Sequence, residues 1–254
     1  MPFMKGQITI IAPAILILVL AGCDQRATDA SPPGQEMTDA ALIDNSLVGW
    51  WKFDEGRGDQ AEDSSGHGHT ARILNGDWSE GKKGAALLMD GGDDSIVTIP
   101  LTDQLRSTGE AVTVMGWAYR TAEHNVDIIG HGYPALFLGF HGPQFKWQVE
   151  NARGKKANCY ADPKYRAKLN QWFHLAGTYD GRTARLYVDG EQICSTWLWF
   201  SAPVSMPEVP FTISGYLHDS GEIMDEITGK IDDVRIYKRV LEPWEIGAVI
   251  THAQ

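Results

Sequence analysis

The feature that most constrains this chain is a succession of short runs of strand-forming residues, cut at regular intervals by aspartate, glycine and proline. Val112, Val114, Gly116 and Ala118 alternate with Thr113, Met115, Trp117 and Tyr119, a clean period of two. The run 172–179 ends at Asp180-Gly181, and 185–188 ends at Asp189-Gly190 before 192–195. Aspartate-glycine between such runs supplies the positive φ angles that tight hairpins demand. Further runs occur at 47–53, 85–89, 95–99, 135–140, 145–149 and 211–215, with Asp90-Gly91-Gly92-Asp93-Asp94 reading as a hairpin connection between the second and third. Only 242–251 reads as helix. Many short strands with turn residues at this spacing predict an all-β sandwich or barrel and exclude a βαβ fold.

The first residues have a different character. Lys5 precedes an apolar run from Ile8 to Leu20, too short for a comfortable membrane span, and Leu20-Ala21-Gly22-Cys23 follows. Those four residues resemble the bacterial lipobox, which implies a signal peptide over 1–22 and a lipid anchor on Cys23, and hence an exported protein held in the cell envelope. Residues 23–46, with Pro32-Pro33-Gly34 and no apolar period, read as a flexible tether, leaving 47–254 as one domain. The composition of 22 basic against 33 acidic residues, a net charge of −11, argues against nucleic acid as a partner. In an exported chain Cys159 and Cys194 invite a disulfide, although two free buried thiols would look the same.

In Gly229-Lys230-Ile231-Asp232-Asp233-Val234-Arg235-Ile236-Tyr237, Val234 and Ile236 share one parity and Ile231 the other. Either all three face one core across a β-bulge at the two aspartates, or the strand is regular with a solvated acidic face. This stretch is also one of six that resemble, in order, the bacterial laminin-G-like, concanavalin A-like jelly-roll domains. The others are Trp51-Lys52-Phe53-Asp54-Glu55-Gly56, Asp63-Ser64-Ser65-Gly66-His67-Gly68, Gly84-Ala85-Ala86-Leu87 with Asp90-Gly91, Trp172 through Gly181, and Leu186-Tyr187-Val188-Asp189-Gly190. The resemblance implies a two-sheet antiparallel jelly-roll sandwich whose first and last strands lie side by side. It also implies one structural calcium (Ca2+) near that junction, with Asp63 and Asp232 as side-chain ligands, Glu55 behind them, and main-chain carbonyls around His67. The family usually has asparagine where this chain has His67 and His69.

Because the same fold houses glucanases and lyases, catalysis has to be read from residues. Glu222-Ile223-Met224-Asp225-Glu226 lacks the spacing that puts a nucleophile and an acid on one strand face, and the eight histidines show no zinc-binding spacing. No catalytic residue is assigned. Sugar rings stack on exposed aromatic faces, and two groups offer them: Trp197-Leu198-Trp199-Phe200, and Trp147 with His141, Gln148 and Asn151. The expected function is a non-catalytic carbohydrate-binding or adhesion module whose partner is a glycan or an envelope or extracellular protein. The alternatives are a protein-binding or structural envelope lipoprotein and a divergent glycosidase or lyase.

Overall fold

The computed structural model describes residues 44–92, 94–218 and 220–252, so the signal peptide, Cys23 and nearly all of the tether lie outside the described residues. The strands of the first half are β1 (Leu47–Trp51), β2 (Gln60–Ala61), β3 (Ala71–Leu74), β4 (Gly76–Glu80), β5 (Ala85–Asp90) and β6 (Ile96–Ile99). A one-turn helix, α1 (Asp103–Arg106), leads to β7 (Val112–Arg120), β8 (Val126–His131), β9 (Leu136–His141), β10 (Gln144–Glu150) and β11 (Lys156–Tyr160). There follow β12 (Trp172–Tyr179), β13 (Thr183–Val188), β14 (Glu191–Trp197) and β15 (Phe211–Ile213). The chain then forms a small hairpin of β16 (Tyr216–Leu217) and β17 (Ile223–Met224), the long β18 (Thr228–Tyr237), and helix α2 (Pro243–His252).

Two antiparallel sheets result. The first runs β14-β13-β12-β7-β18-β5-β4, with β1 also on β18; the second runs β11-β10-β9-β8-β15-β6-β3-β2. The Asp189-Gly190 turn has φ of 49° and 85°, the double positive a two-residue hairpin requires, and it joins β13 to β14 as expected. The expected hairpin across Asp90-Gly91 does not form. Strand β5 pairs with β4 and β18 in the first sheet, whereas β6 pairs with β3 and β15 in the second. The connection crosses between layers, because two alternating runs joined by glycine bury equally well in one sheet or in two facing ones.

The main core fills the space between the sheets, with Trp51, Phe53, Val114, Leu138, Phe211 and Ile236 among its buried side chains. A second, smaller core lies outside the first sheet. Helix α2 lays Ile246 and Val249 over Met115, Ala176, Tyr187 and Tyr237, so β7, β12 and β18 are apolar on both faces where it covers them. The disulfide Cys159–Cys194 forms, with a Cα–Cα distance of 5.7 Å, and ties β11 of the second sheet to β14 of the first.

The bulge in β18 forms, and the solvated acidic face does not. Ile231, Val234 and Ile236 are all in the main core, and the register against β7 shifts between Asp232 and Arg235. Asp233 takes the extra position at φ 47°, and both aspartates are buried. On β7 the shift falls opposite Gly116, where a Cβ would come within 2.9 Å of the Val234 Cγ2.

Trp147, expected to offer a sugar-stacking face, is instead wholly buried. Its indole N–H donates to the Thr178 carbonyl at 3.0 Å, and its ring lies where a Cβ on Gly177 would fall at 2.5 Å. Phe145, Trp147 and Val149 point inward together, and Gly177 on β12 is the recess that admits the largest of them. Ala in place of Gly177 therefore overpacks the core and is expected to cost about 1–3 kcal/mol. Urea denaturation of Gly177→Ala checks this, with a lower midpoint at unchanged slope as the expected result.

Candidate functional site

The junction of the two chain ends is built as the resemblance implies. Strand β1 pairs with β18, Leu47 opposite Tyr237 and Trp51 opposite Val234, and Asp63 bridges to Trp51. Asp233 accepts two hydrogen bonds from Arg235, at 3.0 and 3.1 Å, and a third from the Trp50 indole N–H, while the Arg235 guanidinium lies 4.2 Å from the Trp50 ring centroid.

The acids expected to hold calcium are engaged as acceptors. Asp63 takes N–H groups of Trp50, Ser65 and His69 and the Ser65 hydroxyl, all between 2.8 and 3.0 Å. Burial works against ionisation there, but these four donors hold the carboxyl below its usual range. Asp232 Oδ2 accepts the N–H groups of Lys82 and Lys83, and Glu55 Oε1 accepts that of Glu62. The His69 carbonyl takes the Trp51 indole N–H, and the His67 ring lies 3.1 Å from the Leu47 carbonyl. Among the described residues no group of three or more histidine, cysteine or acidic side chains is placed to hold a metal ion. One atom departs from this pattern: Glu55 Oε2 is buried with no hydrogen-bond partner.

Burial pushes the Asp232 carboxyl up to about 7, against its two N–H donors and with help from Asp233 and Asp54. Its ordinary value is 3.8. The folded protein thus holds this proton more tightly than the unfolded chain, so the stability it contributes is complete below about pH 4 and is lost as pH rises through about 7. Asp232→Asn keeps an oxygen for Lys82 and Lys83 and carries no charge. It is expected to raise the melting temperature at pH 8 and to leave it nearly unchanged at pH 4, which thermal scans at the two pH values measure.

The expected aromatic residues separate. His141 is exposed at the end of β9 with its ring 5.5 Å from Tyr160, Gln148 and Asn151 are buried, and Trp147 belongs to the core. Trp197 and Trp199 are brought together at the rim of edge strand β14, ring centroids 4.8 Å apart and edge to face.

A further aromatic group, invisible in the sequence reading, lies on the outer face of the second sheet. Tyr133, 48% exposed, stacks on Tyr216 with centroids 5.5 Å apart and planes 22° from parallel. Phe137 lies 5.0 Å from Tyr216, and His218 lies 5.6 Å from Tyr133. The Lys156 ammonium is 5.7 Å from the Tyr133 ring, and that of Lys146 is 5.0 Å from Phe137. Beneath them Asp127 on β8 is paired with Lys146 at 3.4 Å, and its Oδ2 is buried without a partner. Burial drives the Asp127 carboxyl up to about 7, Lys146 opposing and Asp225 reinforcing the shift. Burial, Asp225 and Asp127 together push the Tyr216 hydroxyl up to about 12. The one trace in the sequence is an aspartate embedded in the apolar run Val126-Asp127-Ile128-Ile129. The segments carrying the rings are too far apart in the chain to be associated without the fold. The acids at 222, 225 and 226 sit on and beside the β16–β17 hairpin, in keeping with the acidic turn expected.

A model of the concanavalin A-like lectin/glucanases superfamily matches residues 90–247. The chain belongs to that superfamily. No curated protein sequence matches it. Among solved structures, the binding domain of Paraclostridial Mosquitocidal Protein 1 is similar with a TM-score of 0.68 at 14% identity, over 83% of this chain and 53% of that one. The botulinum neurotoxin serotype G binding domain gives 0.63 at 15% identity, over 81% and 51%. The chain therefore spans about half the length of these two binding domains. Domain 4 of the extracellular arabinanase AbnA from Geobacillus stearothermophilus, in complex with arabinotriose, gives 0.58 at 19% identity over 81% of this chain and 98% of that one. At such identities the likeness is one of fold.

Proposed function

We propose that this protein is a non-catalytic carbohydrate-binding or adhesion module of the bacterial cell envelope, exported by its first 22 residues and held at a membrane by a lipid on Cys23. The observation that carries the reading is Tyr133, 48% exposed and stacked on Tyr216, with the Lys156 ammonium and the His218 imidazole beside it. Open aromatic faces take the apolar side of a sugar ring, and polar groups at their margin take its hydroxyls. The structural neighbours support it, because two are binding domains and a third was solved in complex with arabinotriose. A glycan array followed by titration calorimetry tests the reading. Tyr133→Ala is expected to weaken the best glycan by about tenfold or more, the loss of one hot-spot contact. Silence on every glycan, with an envelope protein recovered by pull-down from the same cells, would leave the protein-binding or structural lipoprotein reading.

A second reading rests on Asp127. Burial pushes its carboxyl up to about 7, the range of a general acid at neutral pH, but the side chain is sealed from solvent, so a divergent glycosidase or polysaccharide lyase would use it only once the rings above it part. Release of reducing ends from polysaccharide mixtures, abolished by Asp127→Asn, would replace the non-catalytic proposal with this one.

The structural calcium belongs to the same proposal. Glu55 Oε2 is the oxygen whose missing partner a cation would supply, and Asp63 and Asp232, which the fold engages with N–H donors, would have to turn toward it to complete the site. A hard divalent ion there would neutralise the buried charge where the chain ends meet and would stabilise the fold by mass action. A melting temperature several degrees higher in calcium chloride than in chelator is expected, and identical curves would remove the ion.

A further inference from the structure

Trp197, Trp199 and Phe200 are 52%, 84% and 37% exposed, an apolar group left in water at one rim of the first sheet. Two guanidinium groups accompany it, Arg182 at 5.6 Å from the Trp197 ring and Arg153 at 4.9 Å from that of Phe200. The arrangement offers little to a sugar: the indoles meet edge to face, and Arg182 lies over Trp197, whose rim position is further fixed by a 3.0 Å bond from Arg182 Nε to the Leu198 carbonyl. Aromatic rings with cations beside them suit the polar boundary of a bilayer, where the ring enters the acyl margin and the cation stays at the phosphates.

The strand register shows which way this rim faces. Leu47 pairs with Tyr237, Tyr237 with Thr113, Thr113 with Thr178, Thr178 with Arg185, and Arg185 with Ser195. This row crosses the sheet from β1 to β14, five strand spacings or about 24 Å. The chain before Leu47 and the chain after Ser195 leave the row on the same side. The segment that leads back to Cys23 therefore emerges from the rim that bears Trp197, Trp199 and Phe200. Twenty residues, 24–43, separate Cys23 from Asp44, a reach of at most about 70 Å.

We infer that this rim is a membrane-docking surface, Trp197, Trp199 and Phe200 entering the interface of the bilayer that holds the Cys23 lipid. The inference rests on the tethering reading above for its orientation, and on the exposed rings for its chemistry. With a net charge of −11 the attraction to lipid is apolar in origin, and it is expected on uncharged headgroups and to persist in high salt.

The test uses the chain from Asp24 onward, which keeps the whole described body and lacks the lipid. Flotation with phosphatidylcholine vesicles, and quenching of its tryptophan emission by brominated phosphatidylcholine, are expected at 0.1 and 0.5 M salt alike. Trp197→Ser with Trp199→Ser should lower partitioning roughly tenfold or more, as burial of an aromatic side chain predicts, while Tyr160→Ala, an exposed aromatic at the opposite end of the strands, leaves it unchanged. Absence of flotation in the parent chain, or equal flotation of the double variant, would overturn the inference, as would loss of glycan binding in the double variant with flotation intact. Mass spectrometry of the native protein for a diacylglycerol on Cys23 bears on the tether alone, so the two readings fail separately.

Discussion

The fold depends on one closure, the pairing of its first strand with its last through a bulged residue whose side chain is fully engaged. Asp233 sits at positive φ, a conformation that costs a non-glycine residue energy, and is held there by Arg235 and Trp50. Removing one partner of such a buried pair strands the other charge, so each of the three side chains depends on the other two. The bulge lets Ile231, Val234 and Ile236 share the main core although their spacing in a regular strand forbids it. The same irregularity leaves Asp232 buried beneath the loop that carries Lys82 and Lys83.

The two sheets meet solvent differently. Helix α2 seals part of the outer face of the first sheet with a second core. On the second sheet the small β16–β17 hairpin brings Tyr216 and His218 against Tyr133 and Phe137, and polar and aromatic side chains share the surface. The disulfide between β11 and β14 holds the two layers together where an edge strand of one meets an edge strand of the other. A loop of that length contributes about 3–4 kcal/mol on the chain-entropy account.

Much of the architecture was legible because local rules and tertiary structure agree. Asp180-Gly181 and Asp189-Gly190 mark real hairpins, and the helix expected at 242–251 lies one residue further on. Strands β2, β3 and β4 gave no such signal: they are short, partly exposed, and interrupted by glycine and asparagine. Trp147 misled because an aromatic on a clean alternation has a definite side, but alternation does not say which side is inside. Gly177, far along the chain, decided that.

The sequence by itself determined the class of fold, most hairpins, and the acids and aromatics available, since each follows from residues adjacent in the chain. Tertiary structure alone decided which sheet each run joins, which aromatics are buried, and that Asp127, Lys146, Tyr133 and Tyr216 meet on one face. Those outcomes turn on strand order and register, which depend on contacts between distant segments and leave no local periodicity to read.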